Sequence, residues 1–103
     1  MTSHESSNDT EPARLIADAV LACPDVAALS RGPFGTVATY LPGAFVGGVA
    51  VRDDEVEVHV VAHYGRPVPE IAARVRDIVT PYAGDREVTV VVDDIDIGAG
   101  VGA

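Results

Sequence analysis

Residues 55–64 alternate strictly between two sets of side chains, and this period of two constrains the fold more than any other part of the chain. In a β-strand successive side chains point to opposite faces, so the two sets lie on opposite sides of one strand. One face carries Val56, Val58, Val60, Ala62 and Tyr64, and the other carries Glu55, Glu57, His59, Val61 and His63. The pattern predicts a strand with one face in the core and the other in water or against a partner.

Apolar side chains at helical spacing precede and follow this strand. The first helix starts at Thr10, which can cap it, and ends before Pro24, because proline excludes the preceding residue from the α region. The second helix starts near Pro69 and is ended by Pro81 and Gly84. The predicted apolar faces are Leu15, Ile16, Ala19, Val20 and Cys23 in the first helix and Ile71, Val75, Ile78, Val79 and Tyr82 in the second.

Further strands are predicted between the helices and near the end of the chain. Turn signals bound short strands at Thr36–Tyr40 and Phe45–Arg52, and Val26–Ser30 is either a short strand or an extended link. The last strand is predicted at Glu87–Asp93. Its alternation slips at Asp93-Asp94, which indicates a bulge or a strand end at that point.

The predicted element order is α-β-β-β-α-β. We expect an α+β fold, a two-layer sandwich in which two helices pack on one face of a small mixed or antiparallel sheet. A chain of 103 residues has room for one such domain, which we place at residues 11–97. We expect a disordered polar tail at residues 1–10 and a flexible Gly/Ala tail at residues 98–103.

The charge of the chain excludes some classes of partner. Sixteen Asp and Glu residues against seven Arg give a net charge of −9. So acidic a chain is poorly suited to bind nucleic acid or an anionic lipid surface by itself, and we expect no nucleic-acid partner. We interpret Glu55, Glu57 and the Glu87 side of the last strand as a solvated acidic face. If the two strands are adjacent, Arg52, Arg66, Arg86 or a basic partner is available to offset these acids.

The sequence predicts no catalytic residue, no cofactor and no metal ligand. His59 and His63 would lie roughly 13 Å apart on one strand, too far for one zinc ion with bonds of about 2 Å. We interpret both as polar residues on an exposed strand face, with a pH-sensitive interface as the alternative. Cys23 is expected to be a small buried residue, and residues 93–96 lack the terminal Glu of a calcium loop.

Four segments resemble the alkaline shock protein family, a group of bacterial envelope-stress and general-stress proteins. They are Cys-Pro-Asp-Val-Ala-Ala-Leu at residues 23–29, the loop at residues 34–43, the strand and helix start at residues 56–72, and the closing strand at residues 88–95. The most recognisable segment is a strand ending in Tyr-Gly, followed by a helix that opens with Pro-Glu-Ile-Ala. The likeness covers residues 13–97 and is that of a short member of the actinobacterial type.

The resemblance implies a non-enzymatic, cytoplasmic protein that forms homo-oligomers or gathers at the membrane through a membrane-anchored partner. The family has no established catalytic residues, so none is transferred to this chain. Relatives often have basic residues where Ala44, Phe45 and Gly47 stand. We expect protein contacts at Tyr40, Phe45 and Val61, which are apolar at otherwise polar positions. A small-ligand-binding regulatory module is the alternative function.

Overall fold

The computed structural model describes residues 10–98 and confirms the α+β fold class. Helix α1 spans Thr10–Leu21 and helix α2 spans Val68–Ala83. The strands are β1 (Val26–Leu29), β2 (Ala38–Leu41), β3 (Ala44–Gly47), β4 (Val49–Val51), β5 (Glu55–His63) and β6 (Glu87–Asp96). The tails predicted at residues 1–10 and 98–103 lie outside the described residues, apart from Thr10 and Gly98.

Strand β5 is the centre of the main sheet. Along one edge it pairs antiparallel with β1, where Leu29 lies opposite Val60, and with β4, where Val51 lies opposite Val56. Along the other edge it pairs in parallel with β6 over its whole length. These four strands form one mixed sheet, whereas β2 and β3 form a separate two-stranded hairpin.

Both helices pack against one face of the main sheet, α1 over β1 and β4 and α2 over β5 and β6, and they share one core with the apolar face of β5. The buried side chains of that face are Val56, Val58, Val60 and Ala62. The helices contribute Ala13, Ile16, Ala17, Val20 and Cys23 from α1, and Ile71, Val75, Val79 and Ala83 from α2. Each fully buried Val or Ile contributes about 1.5–3 kcal/mol to folding, so this layer is the main source of stability.

The buried helix faces are turned slightly from the predicted ones. Leu15 is 48% exposed and Tyr82 is 39% exposed, so the prediction that they are core residues is wrong. Ala17 and Ala83 are buried instead. Small alanine side chains let the backbone of a helix approach its neighbours closely, and the larger side chains then lie at the margin of the core.

The prediction that Pro81 ends the second helix is also wrong, because Pro81 lies inside α2 and Gly84 follows its last residue. Proline removes one hydrogen-bond donor and crowds the preceding turn. Here the last turn is held against the core by Val79 and Ala83, both of which are buried. Tertiary packing therefore extends the helix past a residue that normally stops one.

The slip predicted in the last strand is a β-bulge in β6. Val60 of β5 pairs with Val92, and the next residue, Val61, pairs with Asp94. Asp93 is therefore the extra residue in β6 and has no partner in the register. A bulge bends its strand and changes the direction of a side chain, which matters for the site described below.

The predicted strand Phe45–Arg52 is interrupted at Gly48, which separates β3 from β4. Gly48 has a φ of 88°, a conformation that favours glycine. A Cβ atom at this position would lie 2.7 Å from Leu29 Cβ and 3.1 Å from the carbonyl oxygen of Ser30. The chain thus leaves the hairpin and enters the main sheet at a point where no side chain fits.

Thr39 of β2 joins the hairpin to the main sheet. Its buried hydroxyl donates to the carbonyl oxygen of Val49 at 2.8 Å and accepts from the backbone N–H of Val51 at 3.1 Å. Both backbone groups belong to β4. The Thr39 hydroxyl therefore makes the hydrogen bonds that a backbone of a neighbouring strand would otherwise make with β4. The hairpin is held close to the main sheet by this contact.

We expect Gly48→Ala to lower the free energy of unfolding more than Gly43→Ala does. Both glycines have positive φ, 88° and 77°. An alanine at either position costs about 1–2 kcal/mol. At Gly43 the new methyl meets nothing within 4 Å, whereas at Gly48 it meets β1, and such overpacking adds about 1–3 kcal/mol. Urea unfolding measures both losses; equal losses would contradict the close approach of Gly48 to β1.

Candidate functional site

His59 lies on the polar face of β5 but is buried, with 6% of its surface exposed. The segment between β1 and β2 lies over the ring, since a Cβ added to Gly32 would lie 3.5 Å from His59 Nδ1. The prediction that both histidines lie on an exposed face is therefore wrong for His59. It is confirmed for His63, which is exposed.

Two carboxylates hold the His59 ring. His59 Nε2 lies 2.7 Å from Glu57 Oε2, and His59 Nδ1 lies 2.8 Å from Asp93 Oδ2. Ionised carboxylates only accept hydrogen bonds, so these two contacts favour the doubly protonated imidazolium form of the ring, in which both nitrogens donate. We name Glu57, His59 and Asp93 the histidine cluster. It joins two positions on β5 to the bulge of β6.

The cluster shifts the pKa values of two of its members. Burial favours the neutral form of His59, but hydrogen bonds to Glu57 and Asp93 outweigh burial and raise its pKa above the ordinary 6.5. The hydrogen bond from His59 lowers the pKa of Glu57 below the ordinary 4.5, against the effect of burial and with help from Arg52. The contacts with the two carboxylates therefore favour the protonated form of His59.

Of the three arginines that the sequence offers to offset the acids on this face, Arg52 contacts Glu55 and Glu57. Its Nη1 lies 2.9 Å from Glu57 Oε1 and 3.5 Å from Glu55 Oε1. Thr89 of β6 donates to the other oxygen of Glu55 at 2.9 Å. Partly exposed ion pairs contribute little stability one by one, but the contact with Arg52 helps to position the Glu57 carboxylate that holds His59.

Both ring nitrogens of His59 lie within hydrogen-bond distance of carboxylates, so neither is free in this structure. A general base needs a free ring nitrogen within reach of its substrate, and both nitrogens of His59 already donate to carboxylates. The same two contacts leave the ring no lone pair for a metal ion. In the part of the chain that the structure describes, no group of three or more His, Cys, Asp and Glu side chains could hold a metal ion.

The predicted contact residues Tyr40 and Phe45 lie side by side on the β2–β3 hairpin. They are direct partners in the strand register, and their ring centroids are 5.7 Å apart. Arg31 completes the group: its Cζ lies 4.7 Å from the centroid of Phe45, and its Nη2 donates to the Tyr40 hydroxyl at 3.4 Å. Tyr40 is 67% exposed and Phe45 is 47% exposed. We name these three residues the hairpin patch.

Val61, the third predicted contact residue, does not belong to the hairpin patch. It is half-buried on β5 and lines a separate cleft together with Ser30, Gly32, Pro33, Asp93 and Asp94. Sequence reasoning found Tyr40 and Phe45 but missed Arg31. The signal that could have found Arg31 is its position in a long stretch of chain that contains no acid to pair with it.

Charge is divided unevenly along the chain. Residues 26–52, which include the hairpin patch, contain two arginines and no Asp or Glu. The rest of the chain carries five arginines against all sixteen acids. The hairpin patch therefore belongs to a net positive segment of a strongly negative protein. Arg31 contacts the Phe45 ring and the Tyr40 hydroxyl, and it forms no ion pair with a carboxylate within residues 10–98.

An open groove lies between the end of α1 and the middle of α2. It is lined by Ala19, Ala22, Cys23, Pro24, Arg74, Asp77 and Ile78. Cys23 is a buried free thiol, as the sequence predicts. Arg74 Nε lies 3.6 Å from Asp25 Oδ2, so its charge is already offset at the rim of the groove. This groove is the concave surface that a small-ligand module would use.

Comparison of the chain with protein-family models, with curated proteins and with solved structures finds no match. The resemblance to the alkaline shock protein family therefore stays a prediction. Between residues 10 and 98, neither helix has the length and apolar character needed to cross a membrane.

We expect the free energy of unfolding to fall as the pH rises through the folded-state pKa of His59. Because folding raises this pKa, the stabilisation is complete below the ordinary value of 6.5 and is lost at higher pH. Glu57 has the opposite dependence: its contribution is present above the ordinary 4.5 and is lost as acid protonates it. Urea unfolding at a series of pH values measures both effects.

His59→Gln leaves Glu57 and Asp93 without their cation, so we expect it to cost about 1–3 kcal/mol at neutral pH. It should also remove the loss of stability that wild type shows above pH 6.5. His63→Gln is the matched control, because His63 lies on the same strand but is exposed. A His59→Gln variant that keeps the pH dependence of wild type would contradict this role of the cluster.

Proposed function

We propose that this chain is a non-enzymatic interaction protein that associates with further copies of itself through the hairpin patch. The observation that carries the proposal is the exposed, ordered group of Arg31, Tyr40 and Phe45. Arginine and aromatic residues are enriched at the centres of protein interfaces and dominate their energetics. The three side chains already contact one another, so they lose little rotamer freedom when a partner binds.

The partner surface is the acidic surface of a second copy. The patch lies in the net positive segment at residues 26–52, and all sixteen acids lie outside that segment. Contact between the patch and an acidic surface brings opposite charges together, whereas contact between two patches would bring two copies of Arg31 together. A contact between two different surfaces is head-to-tail and builds rings or open arrays. Such assembly suits a scaffold protein.

The non-enzymatic part of the proposal is supported by the chemistry of the candidate residues. Both ring nitrogens of His59 are engaged by carboxylates, and Cys23 is buried. His63 is exposed at the end of β5, without a hydrogen bond to another described side chain. These arrangements do not supply the nucleophile and free base that acyl or group transfer needs.

The resemblance across residues 13–97 supports a role in the envelope or general stress response. We place the protein in the cytoplasm, gathered at the membrane through a membrane-anchored partner. Growth of a deletion strain under alkaline and detergent stress tests this role. Wild-type protein should restore growth and Phe45→Glu should not. Equal growth of the deletion strain and its parent under both stresses would contradict the role.

The groove between the helices favours a second candidate, a small-ligand regulatory module. It combines apolar walls at Ala19 and Ile78 with the charged groups of Arg74 and Asp77, a combination typical of ligand sites. A thermal-shift screen of metabolites tests this candidate. A stabilising compound whose effect disappears in Ala22→Arg, which fills the groove, would support it. A screen without a stabilising compound would count against it.

Light scattering after size exclusion is expected to give a mass above the monomer's 10.7 kDa, increasing with protein concentration. Because the contact joins opposite charges, added salt should lower the mass. Phe45→Glu places a carboxylate in the patch and should weaken association by about tenfold or more.

Tyr82→Glu is the matched control for this experiment. Tyr82 is 39% exposed and Phe45 is 47% exposed, so each substitution removes a half-exposed aromatic ring and adds the same charge. Tyr82 lies on α2, and its substitution should leave the mass unchanged. A wild-type mass that stays at 10.7 kDa throughout, or equal masses for the two variants, would contradict self-association through the patch.

A further inference from the structure

Strand β6 forms an open edge of the main sheet. It has ten residues and pairs with β5 on one side, and no strand within residues 10–98 pairs with its other side. The outward backbone N–H and C=O groups of such an edge can pair with a strand from another chain. Edge strands are usually protected by proline, by charged side chains or by bulges. In β6 the acids and the bulge lie at the ends, and residues 88–92 contain no proline and no charged side chain.

The side chains of β6 define what an added strand would meet. Three valines on the helix side pack against the core but stay partly exposed: Val88, Val90 and Val92. Exposed carboxylates lie at both ends, with Glu87 at the start and Asp94 and Asp96 beyond the bulge. An added strand would cover apolar surface along its middle and would face negative charge at each end.

A second copy of β6 meets like charge when it pairs with this edge about Val90. Strands related by a two-fold axis pair antiparallel, and residues directly opposite each other share one face of the sheet. Centring the pair on Val90 therefore sets Glu87 of each copy opposite the acidic bulge at Asp93 and Asp94 of the other. Like charges directly opposite one another destabilise a strand pair. The acidic ends therefore disfavour self-pairing and select a strand of opposite charge.

We propose that the outer edge of β6 binds an extended basic segment of another protein, which adds to the sheet as a further strand. Regular pairing runs from Glu87 to Val92, before the bulge at Asp93, a length of about 20 Å. The segment contributes about six residues, with apolar side chains toward the helices and Arg or Lys side chains toward Glu87 and Asp94. The inference does not depend on self-association, because this edge does not include the hairpin patch.

An end-blocked peptide that alternates valine with arginine tests the proposal, with fluorescence anisotropy as the readout. We expect saturable binding to wild type and binding about three- to tenfold weaker to Glu87→Arg, because an attraction becomes a repulsion. Asp18→Arg is the matched control, since it makes the same charge change at an exposed position of α1 and should leave the affinity unchanged. Amide shifts of isotope-labelled protein should concentrate along β6.

Two further peptides separate strand addition from attraction between charges. The valine–arginine peptide N-methylated at every residue keeps its charge but cannot donate backbone hydrogen bonds, so it should not bind. A valine–glutamate peptide keeps the strand pattern with reversed charge and should not bind either. The proposal is overturned if the valine–arginine peptide fails to bind wild type, if the N-methylated peptide binds equally well, or if Glu87→Arg and Asp18→Arg bind with equal affinity.

Discussion

The structure depends on the burial of both faces of β5 at the position of His59. One face packs against the two helices, and the other is covered by the segment that leads from β1 to β2. A polar side chain in such a place is costly unless all its hydrogen bonds are formed. The histidine cluster meets this requirement, and among the described residues no buried side-chain nitrogen or oxygen is left without a partner. The bulge brings Asp93 to the ring.

The features predicted correctly from the sequence are those that depend only on the spacing of apolar residues within a single strand or helix. The alternation identifies the core face of β5 from Val56 to Ala62, but Tyr64, which the same pattern places on that face, is 78% exposed. The slip at Asp93-Asp94 predicts a bulge or a strand end, and the structure has the bulge. When the alternation of a strand shifts by one residue and both halves of the strand stay paired, the strand must contain one extra residue, which is a bulge. The two helices follow in the same way from apolar residues three and four apart.

The features missed from the sequence depend on contacts between distant segments. Alternation shows which side chains share a face with His59, but the loop that covers the ring is contributed by residues about 27 positions earlier, and no local period encodes that contact. Gly48 interrupts a continuous strand pattern because β1 lies against it. Leu15 and Ala17 lie on either side of the buried residues Ala13, Ile16 and Val20 on α1. The spacing of apolar residues alone therefore does not decide which of the two faces the sheet.

Of the three residues of the hairpin patch, the sequence predicts Tyr40 and Phe45 but not Arg31, because only the first two are brought together by a local turn. Tyr40 and Phe45 flank a Pro-Gly turn in the sequence, so a hairpin sets them opposite each other. Arg31 reaches the rings from outside the hairpin, through the segment that also covers His59. Residues 26–52 contain no Asp or Glu, so Arg31 has no carboxylate close to it in this part of the sequence. Its guanidinium group contacts the Phe45 ring instead.

Asp93 connects the interior of the protein to its open edge. As the extra residue of β6 it supplies the second carboxylate to His59, which satisfies the buried ring. The same bulge breaks the regular backbone pattern, so the part of the edge able to accept another strand ends at Val92. The acids beyond it, Asp94 and Asp96, keep their charges at the surface. The residue that stabilises the buried histidine thus also sets the length of the edge and positions the charge that a partner strand would meet.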